Sequence, residues 1–377
     1  MIRRDAPVTV HRDAVVEAQA IMVLDDLASR LAGVIDAPVL LGGSAGRGEA
    51  SIERRGDSAV WHSDVEAYVI APRLRDRSRI RNAAPNTSGA LGPTITVDWM
   101  TPARWRRLLP RNRFPNRHRL SLQMYDLAHA GRWLRGSLPT TVPRVIAIAP
   151  DEGLRLLLNR VVELSGSDVQ ASPERRVRWM AKLALAAHDA RALFTGTYDP
   201  MLSGRLAAIR AQTDSSHRRM LAAAVEHLLG GAAPDEDELR STALALARSE
   251  IKAALVRLTG WYNGDSERFA RRFPRAISRR GLLRSHALGP FVGPMAENVV
   301  AAARLGRHDP LARRVLTARG HLLLLPWSAS LAMLDLVDPA AGRTRRARAA
   351  AVLSAVSASL GEQDSLDGIV DAWKRLV

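Results

Sequence analysis

Between residues 14 and 32 the apolar side chains Val15, Ala18, Ile21, Met22, Leu24, Leu27 and Leu31 recur close to helical spacing. The stretch predicts one amphipathic helix, and Asp36-Ala37-Pro38 punctuates its end. Val39-Leu40-Leu41 is a short continuous apolar run. It predicts a buried strand leading into Gly42-Gly43-Ser44, and residues 45–53 can start a helix after that turn. A second strand is expected over residues 65–70, opened by Ser63-Asp64 and stopped before Pro72. Residues 73–93 are polar, arginine-rich and turn-rich. Thr94-Ile95-Thr96-Val97-Asp98 alternates polar and apolar positions, as a half-buried strand does, and Leu120-Ser121-Leu122-Gln123-Met124 alternates likewise. Strands interleaved with helices predict a small mixed sheet.

After Pro150 the pattern changes. Residues 154–164, 174–194, 216–229, 237–258, 312–337 and 347–360 are rich in Ala, Leu and Arg at helical spacing. Residues 143–150 read as a linker, and 289–294 as a break between groups of helices. The expected fold is α+β: a small mixed-sheet domain over 1–150 followed by an all-α domain over 151–377.

Composition narrows the chemistry. The 377 residues contain no cysteine, which excludes disulfide scaffolds, thiolate zinc sites and cysteine nucleophiles. Residues 1–7 lack the apolar stretch of a signal peptide, and no apolar run approaches the roughly 20 residues of a membrane span. The expectation is a cytoplasmic protein with no membrane partner. The formal charge is +17, and only three of the 55 basic residues are lysines. Such a surface favours a polyanionic partner. An aromatic content of 5% argues against a base-stacking nucleic-acid binder.

Three features of the first domain belong together. Gly42-Gly43-Ser44 lies between a strand and a helix, where glycines let the backbone turn tightly and approach a ligand. A serine there offers a hydroxyl and N–H groups to phosphate. Asp64 and Glu66 are spaced i and i+2, so on a strand their carboxylates share a face. Asp98 closes the next strand. Three carboxylates on neighbouring strands suit two magnesium ions, or manganese, bound through hard oxygen ligands. Two such ions about 3.5–4 Å apart activate an attacking hydroxyl and stabilise a departing pyrophosphate.

Gly43-Ser44, the pair Asp64 and Glu66, and Asp98 together resemble the signature of the polymerase-β-type nucleotidyltransferase superfamily. The run Gly43-Ser44-Ala45-Gly46-Arg47-Gly48-Glu49 is similar to the bacterial form of its turn, and Ser63-Asp64-Val65-Glu66 to its Ser-Asp-x-Asp/Glu strand. Residues 125–136 resemble the segment that ends many such domains, and Leu158-Asn159-Arg160 with 179–198 more weakly resembles the helical domain of bacterial relatives. The gap from Ser44 to Asp64 exceeds that of minimal members, with 53–60 as an insertion. The resemblance implies a magnesium-dependent enzyme moving a nucleoside monophosphate from a nucleoside triphosphate to an acceptor hydroxyl. In it Asp64, Glu66 and Asp98 are the metal ligands and catalytic residues, and Gly42, Gly43, Ser44 and Arg47 hold the phosphates. Lys182 and Tyr198 reach the nucleotide from the helical side. The acceptor stays open among a small molecule, a glycan, an RNA end and a protein.

Plainer readings stand beside these. Gly42-Gly43-Ser44-Ala45-Gly46 also matches the G-x-S-x-G elbow of a serine hydrolase using Ser44, although one strand precedes it and the downstream half reads as helical. A nucleotide- or nucleic-acid-binding protein with the same fold and little catalysis is a further alternative. Seven arginines between 104 and 119, with Trp105, Phe114 and His118 among them, read more readily as a solvated connection than as a nucleic-acid surface. Lys182 can equally snorkel from a half-buried helix face.

Overall fold

A computed structural model describes residues 7–10, 13–56, 58–73, 76–83, 92–103, 105, 122–138, 148, 152–164, 172–212 and 215–259. The helices expected over 312–337 and 347–360 and the break at 289–294 lie outside these, as does most of 104–119 and of the linker 143–150. Contacts divide the chain into two units. The first takes residues 1–149 and 198–232; the second takes 150–197 and continues from 233. The first boundary lies between residues 149 and 150. Residues 198–232, expected in the second domain, pack with the first unit.

The first unit opens with helix α1, Ala14–Val34. Asp13 caps it, accepting from the Val15 and Val16 N–H groups at 2.9 and 3.1 Å. Val16, Ala20, Leu24, Leu27 and Leu31 form its buried stripe. Strand β1, Val39–Gly42, leads into a one-turn helix α2, Gly43–Arg47. The helix expected over 45–53 therefore ends at Arg47. A β-hairpin follows, made of β2, Ile52–Arg55, and β3, Ser58–Trp61. It fills most of the apparent insertion at 53–60. Gly56 turns it at φ +62°, a conformation glycine adopts without steric cost.

Strand β4, Val65–Ile70, is followed by helix α3, Asp76–Ala83, and strand β5, Ile95–Met100. Residues 122–130, where a strand was expected to end, form helix α4, Leu122–Ala130. Met124 and Leu127, three apart, are its buried residues, so the period is helical and the five-residue alternation misleads. Strand β6, Arg132–Arg135, completes the sheet, whose order is β5-β4-β1-β6. Strand β1 is antiparallel to both its neighbours, and β4 and β5 run parallel.

Alternation along these strands builds two layers. Val39, Leu41, Val65, Ala67, Val69 and Val97 pack against the stripe of α1 and against Ile80. Leu40, Tyr68, Ile70 and Met100 take the other face, under Met124 and Leu127 of α4 and Trp105. Trp105, from the arginine-rich segment, is thus a core residue, edge-on to Trp133 with ring centroids 5.5 Å apart. Helices α7, Leu202–Arg210, and α8, Ser216–Leu228, complete the described part of this unit.

The second unit contains helices α5, Glu152–Leu164; α6, Pro173–Thr195; and α9, Glu236–Thr259. Both α5 and α9 pack on α6. Ser172 caps α6, and Pro173 occupies its first turn, where a missing N–H costs nothing. Gly153 allows close approach of α5: a Cβ there would lie 3.0 Å from the Ala190 backbone. Arg176 and Arg240 converge on Glu236 at 2.9 and 2.7 Å. No helix among the described residues is long and apolar enough to cross a membrane.

Candidate functional site

The turn after β1 has the shape its glycines permit. Gly43 sits at φ +58°, in the left-handed region. A Cβ on Gly46 would lie 2.5 Å from the Leu41 carbonyl oxygen, so α2 can back directly onto the strand only with glycine there. Ser44 is half-buried within this single turn. A serine-hydrolase elbow belongs to a sheet of parallel strands joined by helical crossovers, whereas β1 is antiparallel to both neighbours.

Strand register carries Glu66 to this turn. Gly42 pairs with Glu66 across β1 and β4, and a Cβ on Gly43 would stand 3.4 Å from Glu66 Oε1. Across β4 and β5, Glu66 pairs with Thr96 and Tyr68 with Asp98. Cross-strand partners leave the same face of a sheet, so Glu66 and Asp98 share the face that bears α4. Asp64 lies two residues before Glu66, exposed at the entry to β4. Asp98 Oδ1 accepts the Trp99 N–H at 2.8 Å. Tyr68 donates to Glu66 Oε2 at 3.0 Å and accepts from Gln123 Nε2 at 2.6 Å. Burial, then the charge of Glu66, pushes the Tyr68 phenol far above its ordinary pKa.

Arg47 is engaged within the protein. Its Nε donates to Glu49 Oε2 at 3.1 Å, and both side chains are largely buried. Glu49 also receives the Leu202 N–H at 2.9 Å and the Ser203 N–H at 3.0 Å, which begin α7. Asp126 on α4 accepts the Tyr198 hydroxyl at 3.0 Å. Arg205 in turn donates to that hydroxyl at 3.0 Å. Burial pushes the Asp126 carboxyl up to about 6, against the pull of Arg205, Arg47 and the Tyr198 hydrogen bond; the Glu66 charge adds to the rise. Tyr198 therefore belongs to the first unit's polar network. Lys182 belongs to the second unit, where its ammonium lies 4.0 Å from the centre of the Trp179 ring.

Sequence reasoning missed Glu49, Tyr68, Gln123, Asp126 and Arg205. Tyr68 carries a local signal, the i+2 spacing from Glu66. Glu49 gains its partners Leu202 and Ser203 from 153 and 154 residues on, whereas Arg205 bonds to Tyr198, seven residues before it.

Among the described residues, no three His, Asp or Glu side chains are gathered closely enough to hold a metal ion. The three candidate carboxylates are thus not gathered: two lie on one sheet face and the third at its entry. Glu66 Oε1 faces the turn, and its other oxygen is held by Tyr68.

Comparison with protein-family models, with curated proteins and with solved structures gave no match.

Proposed function

We propose that the protein is a magnesium-dependent nucleotidyltransferase, moving a nucleoside monophosphate from a nucleoside triphosphate to an acceptor hydroxyl. The observation that carries this reading is the register that sets Glu66 beside Gly43, with Asp98 on the same sheet face. A phosphate-seating turn and a carboxylate face are adjacent there. The backbone of Gly42 and Gly43 and the hydroxyl of Ser44 would hold the triphosphate.

In the reaction, the acceptor oxygen forms a bond to the α-phosphorus. The bond from the α-phosphorus to the α,β-bridging oxygen breaks, and pyrophosphate leaves with that oxygen. Asp98 takes the hydroxyl proton. Asp64 and Glu66, with Asp98, would hold magnesium, which supplies Lewis-acid neutralisation of the charge on the α-phosphate and the leaving group. Mutual repulsion opposes the gathering of these carboxylates until a cation offsets it. Arg47 is paired with Glu49, which offsets its charge within the protein.

The test measures thermal shift and pyrophosphate release with each of the four ribonucleoside triphosphates and magnesium, over a panel of hydroxyl acceptors. Stabilisation by at least one magnesium-nucleotide, with release dependent on both metal and acceptor, is expected. No thermal shift and no release with any triphosphate would overturn the reading.

A further inference from the structure

Helix α2 is a single turn, Gly43–Arg47, and a helix that short does not hold its own shape, because ordering its residues costs more than its few internal bonds contribute. The Glu49 N–H closes its far end, donating to the Ser44 carbonyl at 2.8 Å. The Glu49 side chain then reaches away from the turn. Its carboxylate receives the Leu202 N–H at 2.9 Å and the Ser203 N–H and hydroxyl at 3.0 and 3.1 Å, beside Arg47. A second fastening lies just upstream. The Tyr198 hydroxyl stands 3.0 and 3.2 Å from the two Asp126 oxygens on α4, the helix against which α2 packs. Residues 198–203 are therefore tied at both ends to the flanks of the glycine turn. Arg205, 6% exposed, makes this segment one piece. Its guanidinium donates to the Asp199 and Pro200 carbonyls at 2.7 and 2.8 Å and to the Tyr198 hydroxyl at 3.0 Å, and lies 4.9 Å from the centre of the Tyr198 ring. Asp199 adds an inner bond, accepting the Met201 N–H at 2.7 Å.

We propose that residues 198–205 are a strap that orders the glycine turn: its anchors on Asp126 and Glu49 are coupled through Arg205, so that releasing the Tyr198 end lets the turn open. The Tyr198 hydroxyl is where the device joins, since it meets Asp126 on one side and Arg205 on the other. The strands beneath are held by their own ladders, β1 to β4 and β1 to β6, so the turn and strap can open together while the sheet stays closed. Coupling of this kind is reciprocal: a molecule that fixes the turn also tightens the strap. The inference does not depend on what that molecule is. Tyr198→Phe removes the hydroxyl and keeps the ring that lies edge-on to Tyr125, with centroids 5.9 Å apart.

The experiment follows amide hydrogen exchange in the full-length chain by mass spectrometry, without added ligand. Three segments are read: the turn at 42–50, the strap at 198–206, and strand β4 at 65–70 as the measure of global opening. In Tyr198→Phe, exchange in the turn and in the strap is expected to rise together, by about tenfold, the effect of one lost buried hydrogen bond on a local opening. Strand β4 should keep its wild-type rate. Ser203→Ala loosens the other anchor by one hydroxyl and should speed both segments about threefold. Should Tyr198→Phe fail to fold, Ser203→Ala carries the test by the same readings. Faster exchange in the strap with an unchanged turn overturns the coupling. Unchanged exchange in both removes the anchor, and equal acceleration in all three segments makes 198–205 part of the global fold; either result overturns the strap.

Discussion

Ser203 begins its helix on a carboxylate from 154 residues earlier in the chain: Glu49 Oε1 accepts the Ser203 N–H at 3.0 Å and the Ser203 hydroxyl at 3.1 Å. A glutamate that follows the β1 turn thus serves as the cap of a distant helix, satisfying N–H groups that the helix cannot satisfy itself. Replacing it leaves those donors and the Arg47 guanidinium without a partner in a buried place. Glu49→Ala should lose about 3 kcal/mol of stability by urea unfolding. Glu49→Gln, which keeps an acceptor, should lose less. Equal stability of Glu49→Ala and wild type would remove Glu49 as the link.

The raised carboxyl of Asp126 makes stability depend on pH in a defined direction. In the unfolded chain it ionises near 3.8, and in the folded protein at about 6. Between those values the folded state holds the proton that the unfolded state has released. Its contribution is therefore full below about pH 4, falls as pH rises, and is lost above about 6. At about 1.4 kcal/mol per pH unit, the loss amounts to about 3 kcal/mol. Asp126→Asn cannot ionise, so its stability relative to wild type should rise across that window. Urea midpoints at pH 4, 5, 6 and 7 for both proteins decide it; parallel curves would show that Asp126 ionises normally.

The carboxylates differ in their expected roles. Asp64→Asn should fold and should lose turnover roughly a thousandfold, about 4 kcal/mol of transition-state stabilisation. Asp98→Asn should damage turnover comparably and nucleotide binding less, because its contribution is to the attacking hydroxyl. Magnesium-nucleotide titrations run beside turnover would separate them. Wild-type turnover in Asp64→Asn, or nucleotide binding lost in Asp98→Asn and kept in Asp64→Asn, would contradict these roles.

Glycine positions give a prediction independent of catalysis. In Gly46→Ala the new Cβ would press on the Leu41 backbone at 2.5 Å, and a backbone atom yields only if the turn moves. The expected cost is about 1–3 kcal/mol. At Gly33, in the last turn of α1, nothing lies within 4 Å of such a Cβ. Gly33→Ala should instead stabilise by up to about 1 kcal/mol. Chemical denaturation of the two variants should show opposite signs.

The strands that carry the candidate site were legible because their patterns are local. Val39-Leu40-Leu41, residues 65–70 and the alternation from Thr94 each announce a strand, and each is one, with β5 running on to Met100. Strand β6 was not legible, since Arg132-Trp133-Leu134-Arg135 is short and its arginines find carbonyls of Pro7 and Ile35, at 2.8 and 3.0 Å, far off in sequence. The hairpin at 52–61 did carry a signal, Gly56-Asp57 between two short runs. The acids of the candidate site are proposed from residue type and spacing alone. The links Glu49 to Ser203 and Asp126 to Tyr198 could not, because they join residues 154 and 72 positions apart.

The first unit is interrupted: it is left at residue 149 and rejoined at 198. That order matters during synthesis. A ribosome adds about 5–20 residues per second, so on the order of ten to thirty seconds pass between Glu49 and Ser203. Throughout that interval the nascent sheet carries a carboxylate and a guanidinium whose burial awaits a helix not yet made. The intervening helices α5 and α6 emerge first, and the second unit's own partner for α6, helix α9, comes only later. Neither unit is completely synthesised before part of the other has emerged.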